Sequence, residues 1–171
     1  MKGKASEEVI SLSVNGKMHH LIVGKDIQQE DSLSHTIRET IGLTGTKIGC
    51  DHAACGACTV LMSGKPVLSC SMLTVECDGA DITTIEGLVD PKTGKLHPVQ
   101  EAFINHTAFQ CGFCTPGIIL SVKALLDENP SPSEAEVRHA LSGHYCRCIS
   151  NYAVIKAVMD VVSRMKVESN G

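Results

Sequence analysis

Aromatic side chains are almost missing from this sequence: it has two Tyr, three Phe and no Trp among 171 residues. Its core must therefore be built from Val, Ile, Leu, Ala and Met, and a small core of small side chains often needs a staple, which bound metal can supply. No apolar run approaches the roughly 20 residues needed to cross a bilayer, so no membrane span is expected. Charge of one sign is not in excess either. The net charge is −4, the pI is near 6.0, and no basic run or aromatic–basic interleave occurs, so nucleic acid is not an expected partner. The start, MKGKASEEVISLSVNG, has Lys2 and Lys4 but no apolar stretch and no twin arginine, so no secretion signal is read. No G-x-G-x-x-G, Walker loop or Ser-His-Asp signature is found. The eight histidines do not pair with acidic residues at metal-ligand spacing: His19 and His20 alternate along a strand, and His97, His106 and His139 fall on helix candidates.

Cysteine is what the chain has in quantity, nine in all. Without a secretion signal, nine thiols fit a reducing compartment, here the cytoplasm, and metal thiolates better than disulfides. Eight form two quartets. Cys50, Cys55, Cys58 and Cys70 read C-x4-C-x2-C with a later fourth cysteine, the plant-type [2Fe–2S] spacing. Gly49 and Gly56, with the small Ala53, Ala54 and Ala57, let the backbone wrap closely and point N–H groups at sulfur, which raises a cluster's potential. Zinc or scattered core cysteines are the other readings of this quartet. The second quartet, Cys111, Cys114, Cys146 and Cys148, is a C-x2-C and a C-x-C, which by spacing could hold zinc as well as iron. Each of its pairs precedes a predicted helix, so two positive helix ends would converge on a net anionic cluster. Cys77 is left over and reads as a buried small hydrophobe.

The periodicity divides the chain near residues 86–95. Before it lie short strands: a hairpin at 9–23 turned by Asn15-Gly16, a helix at 32–41 with Leu33, Ile37 and Ile41 on one face, a second hairpin (TVLM, a Ser63-Gly64-Lys65 turn, PVLSC), and a strand at 81–85. Strands with one crossing helix suggest a β-grasp. After it the pattern is helical: 97–109; a helix capped by Thr115 with Pro116 in its first turn and ending before Pro130; one opened by a Ser133–Glu136 capping box; and 151–166, with Val154, Val158, Val162 and Lys166 on one stripe. The expected fold class is α+β, an N-terminal β-grasp ferredoxin-like domain (1–88) followed by a C-terminal four-helix-bundle domain (89–171).

The segments GLTGTKIGCDHAACGACTV, TTIEGL, QCGFCTPG, NPSPSEAEVRHALSG and CRC, in this order, resemble the iron–sulfur subunit of the molybdenum hydroxylases, the xanthine dehydrogenase and aldehyde oxidoreductase family. The likeness runs from about residue 8 to 163. It implies two [2Fe–2S] clusters, a distal one on Cys50, Cys55, Cys58 and Cys70 and a proximal one on Cys111, Cys114, Cys146 and Cys148. It further implies a large molybdopterin-binding partner subunit, with Gln110 hydrogen-bonded to the pterin and Cys148 close to its amino group. A FAD-binding subunit or an external acceptor would take the electrons. The assembly would be a hetero-oligomer, a dimer of heterotrimers being one form. The chain itself would do no substrate chemistry and have no catalytic residue. A free-standing ferredoxin-like carrier is the alternative. The sequence departs from the family in three places: Ile149-Ser150-Asn151 stands for the usual Thr-Gly-Tyr, His144-Tyr145 for Asn-Leu, and Ala54 for Glu or Gln.

Overall fold

The computed structural model describes residues 8–169, with side chains through 167. The N-terminal stretch in which no secretion signal is read lies largely outside the described residues. The first part of the chain makes a five-stranded mixed sheet from β1 (Val9–Val14), β2 (Lys17–Ile22), β3 (Thr59–Met62), β4 (Lys65–Leu68) and β5 (Asp81–Thr83), in the order β2-β1-β5-β3-β4. β1 and β5 run parallel and the other neighbours antiparallel. Both hairpins turn on two residues at positive φ, Asn15 (52°) with Gly16 (76°) and Ser63 (49°) with Gly64 (79°). These are the left-handed angles a type I′ turn needs to match strand twist. Lys65, expected in the second turn, is already in β4.

One helix, α1, crosses the sheet. It begins as an α-helical turn, Leu33–His35, capped by Ser32, whose Oγ accepts from the His35 N–H. From Thr36 to Thr40 it is wound as a π-helix, and the Ile41 N–H donates to the Thr36 carbonyl at 2.9 Å. The predicted face is therefore only partly kept: Leu33 and Ile37 are fully buried, but Ile41 is half-exposed. Leu33 and Ile37 join Ile10, Leu12, Val14, Leu21, Ile27, Val60, Cys77 and Ile82 in a core beneath the sheet.

Four helices follow: α2 (Pro98–Asn105), α3 (Thr115–Glu128), α4 (Glu134–Ala140) and α5 (Asn151–Ser169). They enclose a second core around Phe103, Ile118, Leu120, Val122, Val137, Val154, Val158 and Val162. β3 belongs to both cores. Its alternate side chains point to opposite faces, so Val60 packs beneath the sheet and Leu61 packs among the helices, with α3 lying against β3.

The helix ends show where the sequence expectations shift. α2 does not run to residue 109 but ends at Asn105, with His106 as its C-cap. Thr107 turns left-handed (φ 50°), its N–H donates to the Ile104 carbonyl, and the Ala108 N–H reaches back to Phe103 at 2.8 Å. That is a Schellman termination with Thr where Gly is usual. His97 is the N-cap of α2: its Nδ1 accepts from the Val99 N–H, and Gln100 Oε1 accepts from the His97 N–H at 2.9 Å. Thr115 does not cap α3. It is the first helical residue, its Oγ1 is buried without a partner, and Cys114 occupies the cap. The Ser133–Glu136 capping box forms as expected. Among the described residues no helix is long and apolar enough to cross a membrane.

Candidate metal centres

The first quartet lies on the loop between α1 and β3, with Cys70 contributed from just beyond β4. The loop is seated by the segment after β5. Glu86 Oε1 accepts from the Gly45 N–H at 2.7 Å, while Glu86 Oε2 accepts from Thr84 Oγ1 at 2.5 Å. Thr84 is held in turn by Asn15 through two bonds of 2.9 Å. Arg38 donates to the Thr44 and Thr46 carbonyls at 3.0 and 2.7 Å. Glu86, Asn15 and Arg38 thus shape the loop without being visible as site residues in the sequence; only the TTIEGL motif pointed to one of them.

Within the loop, Asp51 (φ 58°) and Ala53 (φ 59°) take left-handed angles that non-glycine residues adopt at a cost. This winding turns N–H groups onto sulfur: Ala53 donates to Cys70 Sγ and Ala54 to Cys50 Sγ, both at 3.3 Å. Gly49 serves by its lack of bulk, since a Cβ there would stand 2.9 Å from Cys55 Sγ. The thiols influence one another's ionisation, Cys55 lowering Cys50 and Cys70 raising Cys58.

The second quartet joins the turn before α3 to the segment before α5. Cys148 Sγ is 3.4 Å from Cys111 Sγ, and Cys146 stands close enough to Cys114 to raise its pKa. The Ile149 N–H donates to Cys146 Sγ at 3.5 Å. Ser150, one of the unusual residues after CRC, accepts at Oγ from the Ala153 N–H and so helps to start α5. Among the described residues no three His, Cys, Asp or Glu side chains converge on one metal-ion position.

The thiols differ in how readily they ionise. The His52 and Ala54 N–H groups hold Cys50 down at about 6. Burial pushes Cys58 up to about 11, and burial followed by the nearby Cys146 pushes Cys114 up to about 12. The buried thiols of each set therefore give up their protons only in exchange for a cation, so filling either site releases protons.

The two quartets meet. Cys50 and Cys55 border the same cleft of about 360 Å³ as Cys111, Cys114, Cys146 and Cys148, together with Phe113 and Tyr145. The Tyr145 N–H donates to the Cys55 carbonyl at 3.0 Å, a direct bond between the two cysteine segments. The seam is tight: a Cβ on Gly56 would stand 2.7 Å from the Gly143 oxygen, and one on Gly117 of α3 would overlap the Gly56 oxygen. His144 fills this seam, largely buried, and burial lowers its pKa to about 4. Cys77 is far from this arrangement in character: it is buried in the sheet's core, and its thiol donates to the Leu73 carbonyl at 3.3 Å. Gln110 is exposed at the head of the Cys111 turn.

A family profile described as a [2Fe-2S] binding domain matches residues 84–159. The nicotine 6-hydroxylase small subunit of Paenarthrobacter nicotinovorans is 45% identical over 88% of this chain and 87% of its own length. The nicotinate dehydrogenase small FeS subunit of Eubacterium barkeri is 41% identical over 91% of this chain and 95% of its own. The chain belongs to the iron–sulfur small-subunit family of the molybdenum hydroxylases. Among solved structures, quinoline 2-oxidoreductase from Pseudomonas putida 86 superposes with a TM-score of 0.85 at 40% identity, covering 95% of this chain and 98% of that one. The aldehyde oxidoreductase of Desulfovibrio desulfuricans ATCC 27774 matches with the same TM-score, 0.85, at 42% identity over 94% of this chain but only 17% of its own. As a member of this family the chain is an electron-transfer subunit of an oxidoreductase complex, not a free ferredoxin.

Proposed function

We propose that this subunit carries electrons one at a time between the molybdenum site of a larger molybdopterin-binding subunit and FAD or an external acceptor. In this reading Cys111, Cys114, Cys146 and Cys148 hold the proximal [2Fe–2S] cluster, and Cys50, Cys55, Cys58 and Cys70 the distal one. The ferredoxin-like part spans 1–88 and the helical part 89–171. The observation that carries the reading is the closeness of the thiols within each quartet, with Cys50 and Cys55 of the first bordering the same cleft as all four of the second. A two-iron cluster asks for two thiolates on each iron, four in all, and each quartet offers four. The match of residues 84–159 to a [2Fe-2S] binding domain supports iron over zinc in the second quartet.

When bound, the clusters supply one-electron redox capacity. The chain's own residues supply the rest. Ala53, Ala54 and Ile149 point N–H groups at sulfur and so favour the reduced, more negative state. The Cys55–Tyr145 bond keeps the two sites adjacent. A partner on the second quartet's side is supported by exposed apolar surface there: Phe113 and Tyr145, which line the cleft beside the second quartet, are both exposed, and exposed apolar surface of this kind marks interaction sites. It is also supported by the aldehyde oxidoreductase, in which a stretch like this chain makes up 17% of one long polypeptide. Gln110 and Cys148 would face the pterin.

The test is metal content joined to selective damage. About four iron and about four acid-labile sulfide per chain are expected, with two distinct paramagnetic signals on reduction. In the assembled complex, Cys55→Ser or Cys58→Ser should stop transfer to the acceptor while substrate still reduces the proximal cluster. Cys114→Ser or Cys146→Ser should cut off everything beyond molybdenum. Stoichiometric zinc, or a Cys55 variant that blocks proximal reduction, would overturn the assignment.

A further inference from the structure

His144 stands at the crossing of the two cysteine segments and belongs to neither quartet. Its Nε2 lies 2.8 Å from Ser121 Oγ in the middle of α3. Its Nδ1 is buried with no hydrogen-bond partner, a costly arrangement for a ring that only fills space. The same nitrogen stands where a Cβ on Gly56 would come within 2.5 Å, so the ring is wedged against the backbone between Cys55 and Cys58. On one side of it the His144 N–H is tied to the Leu141 carbonyl at 3.0 Å; on the other, Tyr145 donates to Cys55 at 3.0 Å. The ring is thus anchored at one end by α3 and abuts the first cysteine loop at the other, one residue from the bond that joins the segments.

We propose that His144, locked by Ser121, is a positioning residue for electron transfer between the two quartets. It keeps the Tyr145 N–H on the Cys55 carbonyl and so fixes the segment bearing Cys146 and Cys148 against the segment bearing Cys55 and Cys58. The inference rests on the relay proposed above. In the step it serves, one electron leaves the site of the second quartet and enters that of the first; one site is oxidised and the other reduced by one electron, and no bond or proton is exchanged. Transfer slows as the separation between the sites grows, and a side chain whose rotamer is locked by a further hydrogen bond holds its segment in place; the Ser121 bond is such a lock. The geometry also separates the ring's two nitrogens. Gln at this position can place an amide at the reach of Nε2, whereas Ala cannot.

The experiment uses the assembled complex with wild type, His144→Ala, His144→Gln and Ser121→Ala. Wild type is measured first, for iron content and for two paramagnetic signals on reduction. Their absence would sink the relay itself, whatever His144 does. With both present, His144→Ala and Ser121→Ala should retain iron and proximal reduction by substrate. Amide exchange at Tyr145 should rise roughly fivefold, the population shift expected from one lost hydrogen bond. Transfer from the second quartet to the first should slow by roughly twofold or more as the held arrangement becomes less populated, and the magnetic interaction between the two reduced clusters should change. His144→Gln should restore all three. Unchanged transfer and unchanged magnetic interaction in the Ala variants, or no rescue by Gln, would overturn the proposal. If His144→Ala loses iron, Ser121→Ala decides the matter, because it removes a single hydroxyl, the lock, while keeping the imidazole itself.

Discussion

Replacing Gly117 by alanine sets two effects of opposite sign against each other. Gly117 is buried in the first turns of α3. Helix propensity alone favours alanine by about 1 kcal/mol, so a view confined to the helix forecasts stabilisation. The added Cβ, however, would stand closer than 3.0 Å to the Gly56 carbonyl oxygen and 3.4 Å from that of Ala57. The obstacle is backbone, and it is pinned: Thr59 Oγ1 donates to the same Gly56 oxygen at 2.7 Å and the Lys47 N–H to Ala57 at 3.4 Å. Overpacking of this kind costs about 1–3 kcal/mol. The balance is a net loss of about 1 kcal/mol, which for a chain of this size lowers the melting midpoint by about 2–4 °C. The displaced segment lies between Cys55 and Cys58, so visible absorbance of the first cluster should fade at a lower temperature than the far-ultraviolet helix signal. Thermal melts of Gly117→Ala followed by both signals check this. A raised midpoint would refute the reasoning, because it would mean that the loop yields freely and the seam between helix and cysteine loop is slack.

His97 caps α2 through a neutral Nδ1, and burial, helped by nearby Lys123, holds its pKa below the ordinary 6.5. The folded state therefore binds its proton less readily than the unfolded chain, and the cap's contribution is complete above pH 6.5 and lost as the pH falls below it. His97→Asn, a good cap that does not titrate, should flatten that part of the stability-against-pH curve; an unchanged slope would remove His97 as its source. Cys77→Ser should leave the iron content untouched and cost about 1 kcal/mol in chemical unfolding, the order expected for a buried hydroxyl that keeps a carbonyl partner; loss of iron would mean the quartets are misassigned. Gln110→Ala should leave both clusters assembled and slow electron arrival from molybdenum moderately, in keeping with the loss of one hydrogen bond worth about 1 kcal/mol; an unchanged rate in the assembled complex would take Gln110 out of the site.

What the sequence reveals here is what depends on neighbours along the chain. Asn15-Gly16 names its turn and Ser133 with Glu136 names a helix start, because each is a matter of a few successive residues, and the C-x4-C-x2-C and C-x2-C spacings single out the thiols in the same local way. What it conceals depends on partners far away or on a residue in an uncommon role. The end of α2 was obscured because Thr107, not Gly, takes the left-handed angle, and its start because His97 caps in place of Ser or Asp. Thr115 looked like a cap, yet the Cys114 turn ahead of it takes that place. The π-wound half of α1 has no composition signal; only the Ile41–Thr36 bond discloses it. The sequence reading has Gly49, Gly56 and the small alanines of the first loop let the backbone wrap closely and aim N–H groups at sulfur. In the folded chain Asp51 and Ala53 bear left-handed angles there too, while Gly49 provides room for sulfur. The seam of Gly56, Gly117, Gly143 and His144 brings together residues up to 88 positions apart, beyond the reach of any local pattern.

The place of β5 in the sheet has a consequence for how the protein comes into being. Among the described residues it is the last strand and the middle one in the sheet, seated between β1 and β3. As the ribosome delivers the chain, β1 with β2 and β3 with β4 can each close as a hairpin, but the two halves stay apart until residues 81–83 emerge. By then all four cysteines of the first quartet have been made, without the floor of their loop. That floor comes later still, from α3 and the 143–145 segment. Contacts so distant in sequence form slowly, and through that interval the thiols stand open to air and stray metal. On the proposed assignment, iron is then best delivered after release of nearly the whole polypeptide, and a truncated N-terminal half made alone should take up iron less well than the full chain.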